Sequence, residues 1–405
     1  MNNPMTGGDI FTDDDLPPGW IERASDDGSV VYINTTTGAS TFQHPSTGKR
    51  NSVPKELPFG WVEDFEGPSK VFVNVSTGQR TTIDPRLAFK VEDTHTYRAR
   101  FGGNSSCWDV LEGIDLSTKT ILVTGGSCGI GWETARSLAA HGAQVVVTSR
   151  NVSSTNTAIQ ELQKERRTFR MSAMFVDLCD LNSVRTFAFE FKKTYNALHI
   201  LILNAGVYGH PYEKTKDGFE TTFQVNHLSQ FYLLRLLSSL LEASSPARVI
   251  VLSSESHRFS FLTTPSHLSI DRLSPPEDKH FWSLVAYNDS KLLNVWFARE
   301  LDRRMRSKGV KAFAVHPGNM INTSISRYWW FWRLLFWMMS PFTKTLAQGA
   351  ATSVYGAVAP ELADLGGLYL NNCAPCTPSK PALDDKMGEK LWALSERLLK
   401  EKNMN

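Results

Sequence analysis

The 405-residue chain lacks several features that would narrow its class at once. It has only 5 cysteines, an odd and sparse set that excludes a disulfide scaffold. Because no secretory signal is visible either, we expect a reducing, cytoplasmic environment. It also lacks an excess of charge of one sign, since 43 basic and 41 acidic residues leave a net charge of +2. That balance argues against general nucleic-acid binding and against a disordered chain.

Long hydrophobic runs are missing as well. The aromatic-rich segment 328–339 has 12 residues and is interrupted by Arg333, well short of the roughly 20 apolar residues that span a bilayer. Three interpretations of this segment remain open: a buried core helix, a lid with an apolar inner face over a binding pocket, or a peripheral membrane contact. The last two favour a small lipophilic ligand.

Composition divides the chain into five parts. Residues 1–15 are polar and acidic, which predicts a disordered tail. Two similar segments follow at 16–49 and 57–90. Residues 91–117 are predominantly polar and are predicted to be a linker that ends in a short helix. From 118 to 405, apolar runs alternate with helical patterns.

The two amino-terminal segments repeat one pattern. Each begins with Leu-Pro-x-Gly-Trp, at Trp20 and Trp61, and each closes on a proline, Pro45 or Pro85. About three short strands with turn residues between them indicate a twisted antiparallel sheet in each segment. Because so small a sheet has almost no core, the first tryptophan is expected to pack against the ends of its own unit.

These segments resemble WW domains, and the resemblance implies recognition of proline-rich peptides. A polyproline II ligand is already extended, so it loses little entropy when its prolines enter a slot between aromatic rings. The resemblance assigns the slot to Tyr32 and Phe42 in the first unit, and to Phe72 and Ile83 in the second. It implies that the first unit binds Pro-Pro-x-Tyr partners and that the second, without a ring at Ile83, is structural or supporting.

Beyond residue 118, short buried-type strands alternate with amphipathic helices. Strands are predicted at 121–123, 145–147, 173–176, 200–203, 249–252 and 310–315. Helices are predicted at about 132–141, 154–167, 182–194, 219–242 and 285–307. This alternation indicates a doubly wound α/β fold, in which helices cover both faces of a parallel sheet.

A glycine-rich turn joins the first strand of this region to a helix. It consists of Thr124, Gly125, Gly126, Ser127, Cys128, Gly129, Ile130 and Gly131. Glycines permit a tight turn and a close approach of the backbone to a pyrophosphate, which then lies at the positive end of the helix. The strand–turn–helix context therefore predicts a dinucleotide site.

The spacing of these glycines and six further motifs resemble the short-chain dehydrogenase/reductase family. The further motifs are Asp177-Leu178, Asn204-Ala205-Gly206, Asn226, Ser253-Ser254, Tyr287-x3-Lys291 and Pro317-Gly318-x4-Thr323. The resemblance implies a Rossmann-type sheet and a nicotinamide cofactor bound by the glycine-rich turn and by all these motifs except Asn226 and the serine pair. It also implies that Asn226, Ser254, Tyr287 and Lys291 are catalytic.

Tyrosine needs help to act as a base, because its ordinary pKa is near 10. Lys291 follows Tyr287 by one helical turn, so its positive charge can stabilise the phenolate. The family resemblance further implies that Lys291 binds the nicotinamide ribose, that Ser254 donates to the substrate oxygen and that Asn226 holds a proton-conducting water chain. Strand alternation alone leaves open whether Ser253 or Ser254 faces the substrate, and the resemblance favours Ser254.

Cofactor preference is predicted from the end of the second strand. NAD-preferring proteins place an acidic residue there to accept from the ribose hydroxyls. This chain has Ser149-Arg150 instead. Because a guanidinium can bind a 2′-phosphate through two charge-assisted hydrogen bonds, Arg150 predicts NADP.

The remaining features concern substrate and metal. The segment Phe259–Trp282 lengthens the connection between Ser254 and Tyr287 and is expected to shape the substrate pocket. A steroid- or retinoid-like alcohol or carbonyl compound fits this expectation. No metal site is predicted, because the pair Cys373 and Cys376 has no second pair of ligands. A rival hypothesis is a cofactor-binding scaffold with little turnover, although the intact catalytic set argues against it.

Proteins that join WW units to a short-chain dehydrogenase are associated with signalling, including Wnt signalling, with cytoplasmic retention of transcription factors and with apoptosis. Resemblance to that group implies a cytoplasmic protein, with the nucleus, mitochondrion or Golgi as further locations. These expectations follow from the resemblance and not from individual residues.

Overall fold

A computed structural model describes most of the chain. The described residues are 16–25, 28–45, 50–54, 56–67, 69–92, 101–165, 169–279, 281–318 and 344–404. The chain divides into two compact units, residues 1–98 and 99–405. The predicted tail at 1–15 and the aromatic segment at 328–339 lie outside the described residues.

The amino-terminal unit contains two three-stranded antiparallel sheets, which confirms that part of the predicted fold. Its strands are β1 (Trp20–Ala24), β2 (Val30–Asn34), β3 (Ser40–Thr41), β4 (Asn51–Ser52), β5 (Trp61–Glu66), β6 (Ser69–Asn74), β7 (Arg80–Thr81) and β8 (Val91–Glu92). The sheets are β1-β2-β3 and β5-β6-β7, while β4 pairs with β8. Asn34 and Asn74 start the turns after β2 and β6, because each side-chain oxygen accepts two backbone N–H groups.

The first sheet shares its small core with residues from outside it. Val30 and Tyr32 of β2 pack with Val53 and Leu87, and all four side chains are buried. Val53 precedes the second sheet, and Leu87 belongs to the 3₁₀-helix Pro85–Phe89 that follows it. The core of the first repeat is therefore completed by residues from the connection between the repeats and from the end of the second one.

The predicted linker at 91–117 is corrected by the structure. Its first two residues form β8, and from Phe101 onward the chain packs into the core of the second unit. α1 (Cys107–Leu111) begins at Ser106, whose side chain forms a capping box with Asp109. α1 is the short helix predicted at the end of this stretch, and its buried side chains, Cys107, Val110 and Leu111, recur at the spacing of one helix stripe.

The second unit is built on an eight-stranded sheet. Its strands are β9 (Thr120–Val123), β10 (Gln144–Ser149), β11 (Arg170–Phe175), β12 (Ile200–Leu203), β13 (Ala247–Leu252), β14 (Val310–His316), β15 (Leu368–Asn371) and β16 (Ala374–Cys376). The order is β11-β10-β9-β12-β13-β14-β15-β16, and only β16 is antiparallel to its neighbour. The predicted doubly wound sheet is confirmed, with the last two strands as an addition that the sequence analysis missed.

Helices cover both faces of this sheet. Beside α1 they are α2 (Gly129–Ala140), α3 (Val152–Glu165), α4 (Leu181–Thr194), α5 (Thr221–Phe223), α6 (Ser229–Ala243), α7 (Ile270–Leu273), α8 (Ser283–Met305), α9 (Leu346–Val358) and α10 (Asp385–Glu401). In β9, Leu122 packs into one core cluster, while Ile121 and Val123 pack into the other. This alternation shows why a strand buried on both faces reads as a continuous apolar run.

The carboxyl ends of the parallel strands define where a ligand can bind. The chain crosses from the β11 side of β9 to the β12 side, so the strand order reverses beside β9. A crevice opens at such a reversal because the connections leave in opposite directions. In the part of the chain that the structure describes, no helix has the length and apolarity needed to cross a bilayer.

Candidate active site

A cleft of about 350 Å³ lies at the carboxyl edge of the sheet. Most residues predicted to bind a cofactor line it: Gly125, Ser127, Cys128, Gly129, Ile130, Gly131, Arg150, Asp177, Leu178, Asn204, Ala205, Gly206, Tyr287, Lys291 and Pro317. The sequence motifs, which are spread over nearly 200 residues, are thus brought to one site by the strand ends.

The glycine-rich turn needs its glycines for two reasons. Gly125 and Gly129 have φ values of +62° and +59°, which side chains disfavour. A Cβ at Gly126 would lie 2.6 Å from a methyl group of Val147, and one at Gly131 would lie 2.4 Å from the Asn204 amide nitrogen. The turn can therefore pack tightly between β10 and β12 only without side chains at these positions.

The start of α2 is suited to a phosphate group. Cys128 is the N-cap residue, and its side chain makes no capping hydrogen bond. The first N–H groups of a helix point away from its body, so those of α2 can bind an anion. Together with the tight turn, this arrangement fits the pyrophosphate of a dinucleotide.

Thr124 lies behind the cleft and joins its two halves. Its hydroxyl accepts the backbone N–H groups of Asn204 and Ala205, at 2.9 and 3.0 Å, and it donates to Gln230 at 2.9 Å. The Asn204 amide donates to the Thr124 carbonyl at 2.8 Å. Thr124 thus has a structural role beneath the predicted site, and Gln230 is a partner that the sequence analysis missed.

Arg150 and Asp177 lie at the ends of neighbouring strands. Arg150 follows β10 directly, is exposed and lines the cleft. The Asp177 carboxylate accepts the N–H of Cys179 at 3.0 Å, so one of its oxygens supports the local turn. Arg150 is therefore placed to meet the adenosine side of a dinucleotide.

The structure distinguishes the two adjacent serines. The hydroxyl of Ser253 is buried and donates to the carbonyl of Lys291 at 2.8 Å, which ties β13 to α8. Ser254 is half-buried, and its side chain interacts with Tyr287. Ser253 is the serine in the lining of the cleft, but its hydroxyl is bound to α8, and the choice of Ser254 as the serine that faces the substrate stays a prediction.

Tyr287 and Lys291 form an electrostatically shifted pair on α8. The Lys291 Nζ lies 5.3 Å from the centroid of the Tyr287 ring and donates to the Leu252 carbonyl at 3.1 Å. Burial raises the pKa of the Tyr287 hydroxyl, and the hydrogen bond with Ser254 acts in the opposite direction. Burial also lowers the pKa of Lys291 to about 8. Shifted groups that face a cleft are characteristic of acid–base sites.

Asn226 occupies a π-helical turn, Gln224–Leu228, just before α6. Its Oδ1 accepts the N–H of Val207 at 2.7 Å, and its Nδ2 donates to the Val207 carbonyl and to Ser290, both at 3.0 Å. Such turns widen a helix by one residue and re-aim a side chain. Asn226 thereby holds the loop after β12 against α8.

Tyr208 was missed by the sequence analysis. Its ring meets that of Tyr287 edge to face, with 4.7 Å between centroids and an interplanar angle of 89°. It lies on the loop that Asn226 holds, four positions after Asn204. An aromatic residue in a loop at the carboxyl edge of the sheet was the available signal.

The lengthened connection between Ser254 and Tyr287 lines a second, larger cavity. This cavity has a volume of about 750 Å³ and lies against the first turns of α8. Phe261, Phe281, Trp282 and Val285 supply apolar parts of the wall. The charged parts come from Asp271, Arg272, Glu277, Lys279 and the buried carboxylate of Asp289. The aromatic segment 328–339, one interpretation of which is a lid, lies outside the described residues, as does Thr323 of the predicted cofactor motif.

Of the last predicted cofactor motif, Pro317-Gly318-x4-Thr323, only Pro317 and Gly318 lie within the described residues. Pro317 lines the cleft, as noted above, whereas Gly318 is absent from the lining. Gly318 has a φ of +113°, and a Cβ there would lie 2.8 Å from the Lys344 side chain. This glycine therefore accommodates Lys344, which gives its presence a structural cause.

The predicted peptide slot in the amino-terminal unit requires a correction. Tyr32 is 0% exposed, and its hydroxyl accepts a hydrogen bond from Asn51 at 2.7 Å. Phe72 is only 4% exposed. Both rings point into the protein because they lie on the face of β2 or β6 that packs inward. They hold the fold and cannot form an exposed slot.

Strand register relocates the slot positions. Tyr32 pairs with Thr41 and Ile33 with Ser40, so continuing the register places Phe42 opposite Val31. Phe72 pairs with Thr81, which places Thr82, and not Ile83, opposite Val71. Phe42 is 46% exposed, so it alone of the three predicted slot rings is accessible.

Comparisons with known proteins agree with this architecture. Residues 119–266 match the short chain dehydrogenase family, and residues 16–45 match the WW domain family. The WW domain-containing oxidoreductase of Drosophila melanogaster is 48% identical over 97% of both chains. Retinol dehydrogenase 12 of Mus musculus is 40% identical over 71% of this chain and 88% of its own length.

A solved structure shows the same fold. The crystal structure of an uncharacterized protein from Mycobacterium paratuberculosis matches with a TM-score of 0.54 and 29% sequence identity. The match covers 71% of this chain and 95% of that one. The shared part corresponds in extent to the second unit.

Proposed function

Because the chain belongs to the short-chain dehydrogenase family, in the group of WW domain-containing oxidoreductases, we propose that it is an NADP-dependent oxidoreductase of a lipophilic alcohol or carbonyl compound. The observation that carries this proposal is that Tyr287, Lys291 and Ser253, the first member of the serine pair, line a cleft that fits a dinucleotide. The amino-terminal unit is proposed to recruit proline-rich partners.

The residues of the chain divide the proton chemistry among them. The Tyr287 hydroxyl keeps its proton at neutral pH, as an unshifted tyrosine also would, and it can donate this proton to a carbonyl oxygen that is being reduced. Lys291, 5.3 Å from the ring centroid, stabilises the phenolate that remains. Ser254 donates to the same substrate oxygen. A bound nicotinamide cofactor supplies or accepts the hydride.

Arg150 supports the choice of NADP. It is exposed at the end of β10, where an acidic residue would repel a 2′-phosphate. Replacing it by aspartate, Arg150→Asp, removes the guanidinium and introduces a repelling charge. We expect NADPH binding to weaken by about tenfold to a hundredfold, as for loss of a charge-assisted hydrogen bond.

The cofactor test needs a matched control. Arg185→Asp makes the same substitution on the exposed face of α4 and should leave NADPH binding unchanged. Fluorescence titration with NADPH and with NADH measures both variants. If Arg150→Asp weakened both cofactors equally, or weakened neither, the proposed NADP preference would be wrong.

The lipophilic substrate is supported by two observations. One is the cavity that borders α8, the helix that carries Tyr287, because aromatic side chains form part of its wall. The other is the similarity to a protein named for retinol. Reduction of a panel of retinoid, steroid and aliphatic aldehydes and ketones by NADPH tests the proposal, with small polar carbonyl compounds as the control set. A preference for the polar set would contradict it.

A scaffold function is the alternative that the two-unit architecture favours. Equal inactivity of the wild type and Tyr287→Phe, with NADPH bound normally by both, would support the scaffold. Recruitment is tested separately by titrating a Pro-Pro-x-Tyr peptide into the full chain and following the resonances of Phe42 and its neighbours. If these resonances did not change, the proposed peptide recruitment by the first WW segment, residues 16–49, would be wrong.

A further inference from the structure

We propose that His257 is a positioning residue for Ser254, through a neutral imidazole that ties the backbone of this serine to the segment after β16. The proposal rests on the proposed oxidoreductase function and adds a residue to its machinery. His257 lies on the 3₁₀-helix Glu255–Phe259, which begins directly after Ser254, and it is 1% exposed.

The partners of His257 determine its tautomer. Its Nδ1 lies 2.7 Å from the carbonyl oxygen of Ser254, which can only accept a hydrogen bond. Its Nε2 lies 2.9 Å from the backbone nitrogen of Ser379, which can only donate. The imidazole must therefore carry its proton on Nδ1 and keep a free electron pair on Nε2. A protonated ring would place two donors face to face at Ser379.

A second group of contacts joins the same two segments. Tyr369 of β15 packs its ring against His257, with 4.9 Å between centroids, and donates its hydroxyl to Glu255 at 2.8 Å. Arg258 forms an ion pair with Glu255 at 2.6 Å and donates to the carbonyl of Thr377 at 2.7 Å. The turn after Ser254 is therefore fastened to β15 and to the chain beyond β16 at several points.

These contacts bear on the position of the serine hydroxyl. Ser254 has an extended backbone, with φ −162° and ψ 158°, and its side chain accepts the N–H of Ser256 at 3.2 Å. Its carbonyl also accepts the backbone N–H of His257 at 3.1 Å. With both its carbonyl and its side chain tied to this turn, a shift of the turn would move the hydroxyl relative to Tyr287. A misplacement of about 1 Å near reacting atoms can lower a rate by a hundredfold.

Two variants of His257, one of which retains a hydrogen-bond donor for the Ser254 carbonyl, test the proposal through enzyme activity. His257→Asn keeps an amide N–H near the Ser254 carbonyl, whereas His257→Ala keeps neither contact. In NADPH-dependent carbonyl reduction by the full chain, we expect His257→Ala to lower kcat by about tenfold to a hundredfold with the NADPH Kd unchanged, and His257→Asn to recover most of it. Equal losses in the two variants would mean that the ring only fills space.

A double-variant cycle separates positioning from a structural role. If His257 acts through Ser254, then His257→Ala should cause no further loss of kcat once Ser254→Ala is present. Multiplying losses would overturn the proposal. The matched control is His141→Ala, at a half-buried histidine that follows the carboxyl end of α2, which should affect kcat equally little in both backgrounds.

A spectroscopic measurement keeps this test independent of the proposed function. In the full chain labelled with ¹⁵N-histidine, the His257 resonances should show the Nδ1–H tautomer at neutral pH. The Nε2–H tautomer or a protonated ring would overturn the proposal even in an active enzyme. Absence of carbonyl reduction with the Nδ1–H tautomer intact would instead count against the oxidoreductase function and leave the tie confirmed.

Discussion

Tyr287 and Tyr32 belong to different units of the chain, and each was assigned to a binding or catalytic site from a motif. Tyr287 lines the cofactor cleft, with Lys291 beside it and Tyr208 against its ring. Tyr32 is fully buried, and its hydroxyl accepts a hydrogen bond from Asn51. The pKa of both hydroxyls is raised by burial, but Tyr287 has the Lys291 ammonium group beside its ring, whereas Tyr32 has the Asn51 amide as its hydrogen-bond donor.

The difference shows what a motif match can and cannot establish. In residues 99–405, the motif residues follow the carboxyl ends of parallel strands. These ends lie at one edge of the sheet, so the topology brings the motif residues together. In the amino-terminal unit, a strand presents alternate residues to opposite faces. A slot residue that is assigned one position too far along the strand is therefore a core residue. Tyr32 lies next to Val31, the residue that the register places opposite Phe42.

The largest expected effect contrasts the two hydroxyl groups directly. Tyr287→Phe should lower kcat for carbonyl reduction by on the order of a thousandfold, because the proton donor is lost. Tyr32→Phe makes the same chemical change in the other unit and should leave kcat unchanged. Steady-state kinetics with NADPH measures both, and an NADPH titration confirms that the cofactor still binds. Comparable losses of kcat in the two variants would contradict the assignment of the proton donor to Tyr287.

A second effect, on stability, should run the other way. Tyr32→Ala removes a large buried ring from a small core, for which we expect a loss of about 3 kcal/mol in the free energy of unfolding of the amino-terminal unit. Phe42→Ala removes a ring that is 46% exposed and should cost about 0.5 kcal/mol or less. Amide hydrogen exchange in β2 measures both. An equal cost for the two rings would contradict the assignment of Tyr32 to the core and of Phe42 to the surface.

Prediction from sequence succeeded where a pattern was long and repeated. The alternation of buried strands and amphipathic helices identified the sheet, and β12 was predicted with its observed bounds at Ile200–Leu203. The glycine-rich turn could be located because only glycine fits at Gly126 and Gly131. These signals are local, so a single sequence carries them.

The misses have a common physical cause, which is that they depend on contacts between distant segments. β16 has 3 residues and pairs antiparallel with β15, a contact that no local pattern marks. His257 gains its role from Ser379, 122 positions away. Phe101 and α1 belong to the second core although their neighbours in sequence are polar. Tyr208 touches Tyr287 only because Asn226 holds its loop.

Acid should destabilise the unit formed by residues 99–405, which carries the predicted catalytic residues, through one buried histidine. Burial lowers the pKa of His227 to about 3, with Ser395 as a hydrogen-bond partner at 3.0 Å. The unfolded chain takes up this proton below about pH 6.5, whereas the folded chain does so only near its lowered pKa. Stability is therefore lost as the pH falls through this window, and linkage gives about 2 kcal/mol between pH 7 and pH 5.

The variant His227→Gln tests this, because glutamine can still reach Ser395 but does not titrate. Urea unfolding at pH 7 and pH 5 should show that the variant loses about 2 kcal/mol less than the wild type over this interval. Amide exchange in the amino-terminal sheets serves as the internal control and should show the same pH dependence in both proteins. Identical losses in the catalytic unit would show that His227 does not control its acid response.

The smallest expected effect would sharpen the comparison within the amino-terminal unit itself. Register places Phe42 opposite Val31 and Thr82 opposite Val71, so these two positions, and not Tyr32 or Phe72, should govern peptide binding. A larger ring at the slot adds apolar contact with a proline, for which an aromatic contact contributes about 1 kcal/mol. Phe42→Trp should therefore tighten binding of a Pro-Pro-x-Tyr peptide by about fivefold. Thr82→Trp should give the second WW segment, residues 57–90, measurable peptide binding, whereas Ile83→Trp, one position along, should not. Calorimetric titration of the full-length variants decides between the two positions, since stronger binding by Ile83→Trp would restore the slot assignment made from the motif alone.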